Sequence, residues 1–444
     1  MAVILQELGF KVFTLRESRN EDEVLIYGIK NKLYNSYSKK RAINFLFLEL
    51  EAKNINIIDL LHGQEKEYNE EDFEKIKAYK LKLINRVFDK EVILIDNEGY
   101  KPCEELVFEE DAKKYFNRYK KSKILENFKP NDNTFENIHK LIFNIVGNKE
   151  EHYIYFNKWL AWILKNPLDR LPTSIILQGE HGTGKTKFCE LILEKIFGKN
   201  FLEINQSEIN SDYNEYIFGK QLIVANEVIH NDNKYLVPDK LKTFITDVHL
   251  SINKRFKDTF SIINYSQWIF TSNNQVPLKV DPGDRRYTIF KSKKLVNGEE
   301  LIGNLQKNLE KELQGYLNYL FNLEVEFIEV AKPLQNQEKQ DLIEASYNSV
   351  DDFYYLAKDT GGFDALNKLY ASEDSNYFNY IEIYETAKGY AVISSNLYNL
   401  YKNFCSDAGY KPFGRANFIR ELRRFNLSPS VQKVAEKTQR VLLL

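Results

Sequence analysis

The sequence has few cysteines and no long apolar run, and each shortage excludes a class of protein. The three cysteines, Cys103, Cys189 and Cys405, lie far apart and form no CxxC pair. A disulfide framework or a zinc site is therefore not expected, and a reducing compartment fits. No apolar stretch approaches the roughly 18 residues of a membrane span, and residues 1–7 lack the basic and apolar regions of a signal peptide. We expect a cytoplasmic protein, in a bacterial or host cell, without a membrane partner.

The charge balance also shows no excess of one sign. The chain has 62 Lys and Arg residues against 64 Asp and Glu residues, which gives a formal net charge of −2. This balance gives no overall sign of a nucleic-acid partner, so any DNA binding must come from local basic patches. The 444 residues contain no internal repeat and are enough for two to four domains.

The pattern of apolar residues divides the chain into five regions. Residues 1–130 mix short strands with charged helices and form an α+β domain of unknown role. Residues 131–170 form a helical lead-in, and residues 171–295 alternate strands with helices, which is typical of an α/β sheet. Residues 296–388 form a helical and acidic connector or lid. Residues 389–444 form a small C-terminal domain.

A phosphate-binding loop stands at the start of the α/β region. Ser174–Leu177 is a short apolar run suited to a buried strand, and Gly179–Thr186 after it matches G-x-x-x-x-G-K-[ST] in full. Apolar residues at helical spacing follow, so the loop has a strand before it and a helix after it. A glycine-rich turn without nucleotide is the weaker alternative. His181 is interpreted as a variable residue of the loop.

This loop predicts ATP and Mg²⁺ as cofactors. Its three glycines let backbone N–H groups turn toward a phosphate at a helix N-terminus. Lys185 would contact the β- and γ-phosphates, and Thr186 would bind Mg²⁺. The predicted nucleotide-binding residues are Gly179, Gly182, Gly184, Lys185 and Thr186.

Polar residues follow two further apolar runs. Leu222–Ala225 leads to Asn226 and Glu227, and a carboxylate at such a strand end can polarise water, which makes Glu227 the candidate base. Many P-loop ATPases have an Asp or Glu at the position of Asn226, where this chain has a neutral amide. The predicted metal ligands are Thr186, Asn226 and Glu227. The third run, 268–271, leads to Asn273, a candidate sensor of the γ-phosphate. A solvated acid and an Asn-Asn turn are the alternatives.

Two arginines follow a Pro-Gly turn. Arg285 and Arg286 stand at the start of a predicted strand and suit an arginine finger that reaches a neighbouring subunit. Adjacent side chains on a strand point to opposite faces, so only one of the two should reach, and the other should pair with Asp284. A structural salt bridge for both is the alternative.

These motifs together resemble those of superfamily 3 DNA helicases, in particular the helicase portion of phage, plasmid and poxvirus-type primase-helicase proteins. The resemblance covers residues 134–295 well, the C-terminal region loosely and the first 130 residues not at all; Asn226 departs from it. It implies an AAA+-like P-loop NTPase core and a hexameric ring. It also implies that Lys254, Arg255 and Lys257 lie on a hairpin that grips single-stranded DNA. A solvated surface hairpin is the alternative.

The C-terminal region has the pattern of a winged helix. Residues 396–407 and 415–426 read as two helices joined by a turn, and strands follow them. The region 411–440 contains more basic than acidic residues, which suits contacts with duplex DNA. The predicted DNA-binding residues are Arg415, Arg420, Arg423 and Arg424. A protein-docking or stability domain is the alternative.

The N-terminal region does not predict a primase. The carboxylates that a primase needs for metal have one candidate, Asp96–Gly99, which reads more simply as a hairpin turn. A cluster of basic and aromatic residues at 113–123 could touch DNA, and a charged helix face explains it equally well.

The leading hypothesis is an ATP hydrolase, namely an ATP-dependent replicative DNA helicase that forms a hexameric ring on single-stranded and forked or duplex DNA, with a primase or other replication protein as a further partner. One alternative is a nucleotide-switched, origin-binding initiator without strand separation. Another is a remodeller of a second protein.

Overall fold

The computed structural model describes residues 5, 9–15, 23–53, 55, 73–227, 236–255, 259–274, 277–278, 280–370, 381–434 and 436–444. The chain divides into two compact units. Unit 1 contains residues 1–277 and 285–334, and unit 2 contains residues 278–284 and 335–444.

The described residues in the N-terminal part of unit 1 form two small sheets. Strands β1 to β4 form a sheet in the order β3-β2-β1-β4, and strands β5 to β7 form a sheet in the order β5-β7-β6. Helices α1 and α2 pack on the first sheet around a cluster of buried hydrophobic residues. The elements are β1 Phe10–Leu15, β2 Glu23–Gly28, β3 Leu33–Ser38, α1 Lys39–Ala52, α2 Phe73–Glu91, β4 Ile93–Ile95, β5 Asn97–Gly99, β6 Val107–Glu110, β7 Lys113–Asn117 and α3 Lys123–Glu126.

Two local predictions for this part are wrong. Residues 96–99 do not form a hairpin turn, because β4 pairs in parallel with β1 whereas β5 pairs in parallel with β7. Asp96 links the two sheets, since its backbone N–H donates to the Lys114 carbonyl oxygen and its carboxylate accepts from the Lys114 N–H, both at 2.7 Å. The basic cluster is no helix face either: most of it lies on β7 and on the extended segment after it.

The central part of unit 1 begins with two helices that the sequence predicted. They are α4 Glu136–Ile145 and α5 Glu150–Lys165, and α5 ends at Asn166 before Pro167. The helical spacing of apolar residues in α5 is confirmed, because Phe156, Trp159 and Leu160 are fully buried. Both helices pack on the next sheet through one shared apolar core.

A five-stranded parallel sheet follows, in the order β14-β8-β13-β10-β9. The elements of this part are β8 Ser174–Gln178, α6 Lys185–Phe188, α7 Glu194–Phe197, β9 Phe201–Asn205, α8 Gln206–Asn210, β10 Leu222–Asn226, α9 Leu236–Thr246, β11 His249–Ile252, β12 Phe260–Ile263, β13 Gln267–Ser272, β14 Tyr287–Lys291, α10 Gly298–Lys307, α11 Leu309–Asn322 and α12 Phe327–Val330.

The short apolar runs form this sheet because its strands are covered on both faces. All residues of β8 and β13 are buried, and in β10 only Asn226 is partly exposed. Such strands read as continuous apolar runs without alternation. Parallel strands also place their carboxyl ends at one edge, so the loops after β8, β10 and β13 meet there.

A separate antiparallel hairpin stands between β10 and β13 in the chain. Its strands are β11 and β12, with His249 opposite Ile263 and Ile252 opposite Phe260. The hairpin tip carries Lys254 and Arg255. Lys257 lies outside the described residues.

The described residues of unit 2 form five α-helices and a four-stranded sheet in the order β15-β16-β18-β17. Two helices lie in the chain between β16 and the antiparallel hairpin of β17 and β18. The elements are α13 Gln337–Ala345, α14 Ser349–Asp359, α15 Phe363–Tyr370, β15 Ile383–Thr386, β16 Gly389–Ile393, α16 Ser394–Asp407, α17 Arg415–Leu422, β17 Ser428–Val434 and β18 Lys437–Leu443.

The helical and acidic connector predicted at residues 296–388 is divided between the units: residues 296–334 belong to unit 1, and residues 335–388, whose described part is largely helical, belong to unit 2. Phe353 of α14 and Leu366 of α15 are buried in the same cluster as Tyr401 of α16 and Phe418 of α17. This compact unit therefore begins well before residue 389. The acidic residues of this segment suggested a connector, but its apolar residues recur at helical spacing and pack in the core of unit 2.

No helix in the described part of the chain is long and apolar enough to cross a membrane.

Glu312 of α11 connects this helix to the N-terminus of α4. Its carboxylate is buried and accepts hydrogen bonds at 2.9 Å from the backbone N–H groups of Asn137 and Ile138, and one at 2.5 Å from the Asn137 side chain. The two backbone donors belong to the first turn of α4, which has no side-chain cap of its own. A carboxylate at a helix N-terminus satisfies free N–H groups and matches the helix dipole.

We expect Glu312→Ala to lower the free energy of unfolding by about 2–3 kcal/mol, because it leaves buried donors without an acceptor. Chemical denaturation would measure the change. Glu310→Ala, an exposed position of the same helix, is the control and should change stability by less than about 0.5 kcal/mol. Equal effects of the two variants would show that the carboxylate does not hold α4.

Candidate functional site

The loop between β8 and α6 has the backbone of a phosphate-binding loop. Gly182 and Gly184 have φ values of 79° and 91°, which side chains with a Cβ rarely adopt. A Cβ on Gly184 would also lie 2.5 Å from Leu141 Cδ1, and one on Gly179 would lie 2.9 Å from the Ser292 carbonyl oxygen. Conformation therefore favours glycine at Gly182 and Gly184, and limited space disfavours a Cβ at Gly179 and Gly184.

Lys185 is buried within this loop. Its Nζ donates to the carbonyl oxygens of Gly179 and Glu180 at 2.5 and 3.0 Å and to Thr183 Oγ1 at 3.0 Å. Burial lowers the pKa of this ammonium group, because a charge loses its hydration there. The loop thus holds a positive charge close to its own turn, with only neutral acceptors.

A cleft of about 950 Å³ opens beside the loop. Most of the residues that the sequence predicted for nucleotide and metal lie around it, and helix α10 forms its other wall. The predicted residues in its lining are Gly182, Gly184, Lys185, Thr186, Asn226, Glu227 and Asn273. The parallel sheet brings them together from three strand ends. Arg285 and Arg286 do not line the cleft.

The ends of β10 and β13 face this cleft. Glu227 is exposed and has a φ of 54° directly after β10. Asn273, after β13, lies with its Nδ2 3.4 Å from His181 Nε2 of the phosphate-binding loop. His181 therefore contacts the predicted sensor, although the sequence gave it no role.

Asn226 is held on both sides of its amide group. Its Nδ2 donates to Glu203 Oε2 at 3.2 Å, and its Oδ1 accepts from Thr271 Oγ1 at 2.9 Å. These contacts join β9, β10 and β13 behind the cleft. Burial raises the pKa of Glu203, and its hydrogen bond with Asn226 opposes that rise.

Sequence reasoning missed Glu203 and Asn144. Asn144 is buried in α4, and its Nδ2 donates to the carbonyl oxygens of Thr183 and Lys293 at 3.1 and 2.7 Å. It thereby fixes the loop to the segment after β14. A polar residue inside the apolar stripe of α4 was the available signal. Glu203 was visible only as one acid in a strand of ordinary composition.

The two arginines before β14 differ in their surroundings. Arg285 is exposed, whereas Arg286 is partly buried with its guanidinium 5.7 Å from the Tyr287 ring centroid. The Arg286 carbonyl oxygen accepts from the Ser174 N–H at 2.8 Å, so the backbone there extends the sheet. Which of the two acts as a finger stays a prediction.

The hairpin cations lie over aromatic rings. Lys254 Nζ lies 5.6 Å from the Phe218 ring centroid and 5.1 Å from that of Phe260. The guanidinium of Arg255 lies 5.4 Å from the ring of Tyr213. These contacts orient both side chains at the surface.

The basic residues predicted to bind DNA in unit 2 fall into two groups. Arg415, Arg420 and Arg423 are exposed. Arg424 is exposed as well, but it lies 3.0 Å from the carboxylate of Asp351, whose side chain is 1% exposed, and 2.9 Å from that of Glu421. The positive charge of Arg424 is therefore paired with two carboxylates of unit 2.

Comparisons with known proteins give partial matches. A family of unknown function, DUF5906, matches residues 177–286. The DNA primase-polymerase of Nitratiruptor phage NrS-1 is 27% identical over 252 residues, which are 56% of this chain and 35% of that protein. The chain thus spans about a third of the length of this relative.

Solved structures of the NrS-1 C-terminal region share the fold. The apo structure of the region 305–718 matches with a TM-score of 0.69 and 20% identity, over 99% of this chain and 97% of that one. The A form of the apo region matches with a TM-score of 0.68 and 19% identity, over 99% and 98% of the two chains.

The predictions of an ATP hydrolase and of a DNA helicase are wrong. The relative matched over 252 residues is named a DNA primase-polymerase, which is a nucleotidyltransferase and not a helicase-type ATPase. The alternative of a nucleotide-switched initiator is not supported by this relative either. The phosphate-binding loop, the polar strand ends and the hairpin are features that many nucleotide-binding proteins share. These motifs therefore do not distinguish a helicase-type ATPase from a protein that acts in DNA synthesis.

We expect Arg424→Ala to destabilise unit 2 by about 2 kcal/mol, because it leaves the buried Asp351 carboxylate without its charged partner. Arg423→Ala, an exposed neighbour, should leave stability unchanged and weaken duplex binding. Thermal unfolding and electrophoretic mobility shifts would separate the two effects. A stable Arg424→Ala variant with lost DNA binding would contradict this division of roles.

Proposed function

We propose that this chain is the nucleotide-binding part of a phage DNA replication protein of the primase-polymerase kind. Its cleft beside Lys185 would hold a nucleoside triphosphate with Mg²⁺. The observation that carries the triphosphate site is the loop with left-handed Gly182 and Gly184, a buried lysine and polar strand ends around one cleft. The likeness to a phage DNA primase-polymerase supports the role in DNA synthesis.

The residues present fit a triphosphate. Gly182 and Gly184 adopt the left-handed backbone conformation of such a loop, and the Lys185 ammonium group has only neutral acceptors in the loop. Phosphate oxygens would give this charge an anionic partner. Thr186, Asn226 and Glu227 are the residues that would hold Mg²⁺, which neutralises phosphate charge when bound. The sheet order and the loop support a P-loop fold of the AAA+-like kind for this part of unit 1.

Unit 2 supports contact with duplex DNA. A strand, two helices and a hairpin follow each other in the chain, and β16 pairs with β18 of the hairpin. This order supports a winged-helix fold, in which the second helix and the hairpin meet DNA. Arg415, Arg420 and Arg423 are the exposed cations of that helix and its end. Assembly into a hexamer stays a prediction.

The chain spans about a third of its relative, so nucleotidyl transfer is proposed for the replication protein as a whole. Among the described residues no group of three or more His, Cys, Asp or Glu side chains could hold a metal ion. The phosphate-binding loop is proposed to act in DNA synthesis as a nucleotide site, and the transfer step is not assigned to this chain.

We expect Lys185→Ala to weaken triphosphate binding by about tenfold to a hundredfold, because it removes a charged hydrogen-bond donor to phosphate. Isothermal titration with each nucleoside triphosphate would measure the affinity, with and without Mg²⁺. Thr186→Val should remove the gain from Mg²⁺ and leave the metal-free affinity unchanged.

Lys195→Ala is the matched control, since Lys195 is an exposed lysine of α7 outside the cleft lining. It should bind the triphosphates as the wild type does. A wild-type chain that binds none of them at millimolar concentration would refute the proposed nucleotide site.

The role in DNA synthesis has its own test. The full-length protein should incorporate labelled deoxynucleotides on a single-stranded template. The Lys185→Ala variant of the full-length protein should reduce this incorporation by about tenfold or more. Gel analysis of primed and unprimed templates would distinguish elongation from primer synthesis. Incorporation equal to wild type in Lys185→Ala would separate the cleft from DNA synthesis.

A further inference from the structure

A second cleft, of about 890 Å³, lies in unit 1 away from the phosphate-binding loop. It is formed by β2 and β3, the segment from β7 to α3, and two turns of the central part at Lys199–Asn200 and Phe218–Lys220. Six cations line it, against three carboxylates. The cations are Lys32, Arg118, Lys120, Lys121, Lys199 and Lys220. This is a local positive surface on a chain whose net charge is −2.

Some of these cations already have acidic partners. Lys32 pairs with Glu126 at 3.1 Å, Lys121 pairs with Glu104, and Arg118 Nε lies 3.2 Å from Glu98 Oε2. Lys120, Lys199 and Lys220 form no ion pair with a carboxylate of the described chain. Lys120 Nζ donates to the Asn31 carbonyl oxygen, and Lys220 Nζ donates to the carbonyl oxygens of Lys199 and Phe201.

Lys220 lies close to other positive charges of the cleft. Burial lowers the pKa of this ammonium group, and the nearby charges of Arg118 and Lys199 lower it further. Like charges that converge on one place cost free energy unless an anion joins them. The arrangement is therefore suited to an anionic ligand.

Aromatic rings alternate with these cations. Phe218 is partly exposed, and the Arg118 guanidinium lies 5.3 Å from its ring centroid. Lys254 of the hairpin tip lies 5.6 Å from the same ring. Phe218 thus stands between a cation of the cleft and a cation of the hairpin. Tyr119, also in the lining, is partly exposed at the end of the same segment as Arg118.

Cations for phosphates and rings for bases are the two components of single-strand recognition. In a duplex the bases are stacked on one another and show only their edges, so they cannot stack on a ring inside a cleft. A mononucleotide would occupy only part of this surface, because the charged and aromatic groups continue from the cleft to the hairpin tip. These features favour a chain of several nucleotides.

We propose that this cleft binds single-stranded nucleic acid, with phosphates at Lys120, Lys199 and Lys220 and a base on Phe218, continuous with Lys254 of the hairpin. The choice of DNA over RNA rests on the replication role proposed above. The occupied cleft would lead a single strand past the N-terminal sheets toward the hairpin.

Fluorescence anisotropy with labelled oligo(dT) and oligo(rU), without nucleotide, tests the site at several salt concentrations. Lys199→Ala should weaken binding about threefold to tenfold and lower the slope of log affinity against log salt by about 0.7, which is the value for one lost phosphate contact on a single strand. Phe218→Leu should weaken binding by about tenfold with the salt slope unchanged, because it removes stacking and no charge.

Lys195→Ala is again the matched control and should bind both oligomers as the wild type does. Arg255→Ala tests the hairpin tip outside this cleft. Loss of binding in Arg255→Ala with wild-type binding in Lys199→Ala and Phe218→Leu would overturn the proposal and limit the site to the hairpin. Stronger binding of oligo(rU) than of oligo(dT) would retain the cleft and assign it to RNA.

A second measurement does not depend on the folding of variants. Photo-crosslinking of an iodouracil-substituted single strand to the wild-type chain should map, by mass spectrometry, to peptides that contain Phe218 or Tyr119. Crosslinks found only elsewhere would overturn the proposal. Because no nucleotide is added, an inactive phosphate-binding loop would leave both readouts unchanged, so failure of that site is distinguishable.

Discussion

The parallel pairing of β8 with β13 and β14 is the constraint on which the rest of unit 1 depends. Parallel strands need crossover connections that return the chain to the same edge, so the loops after them converge. With β8 between β13 and β14, and β10 beside β13, the carboxyl ends of three strands border one cleft. Space there is limited, which is why Gly179 and Gly184 have neighbours that a Cβ would meet.

The polar groups behind this cleft are arranged to hold strands as well as to face a ligand. Asn226 has both ends of its amide in hydrogen bonds, and Asn144 fixes the loop from the opposite side through two carbonyl oxygens. Buried polar groups of this kind stabilise only when satisfied. The neutral Asn226 allows the half-buried Glu203 carboxyl group beside it, where a second acid would repel it.

Positive charge is local in this protein. The sequence is nearly neutral overall, yet cations gather in the cleft around Lys220 and on the exposed face of α17. Arg424 shows that an exposed basic residue in such a cluster can already be paired, because the carboxylates of Asp351 and Glu421 lie beside its guanidinium. Counting charges along the chain cannot separate these cases, since ion pairing depends on which carboxylates the fold brings near.

The sequence by itself determined the elements whose residues interact locally. The phosphate-binding loop and the helices α4, α5, α16 and α17 follow from periodicity, turn residues and one complete motif. The hairpin of β11 and β12 was expected from the resemblance to a known family. Only the tertiary structure decided the pairings that join distant residues. Two such pairings are the hydrogen bonds of Asp96 with Lys114 and of Glu203 with Asn226. The packing of α14 and α15 into the core of unit 2, and the cleft between β7 and Phe218, also depend on contacts between residues far apart in the chain. Local secondary-structure propensity does not predict such contacts, because their free energy comes from burial and hydrogen bonding that exist only once the chain has folded.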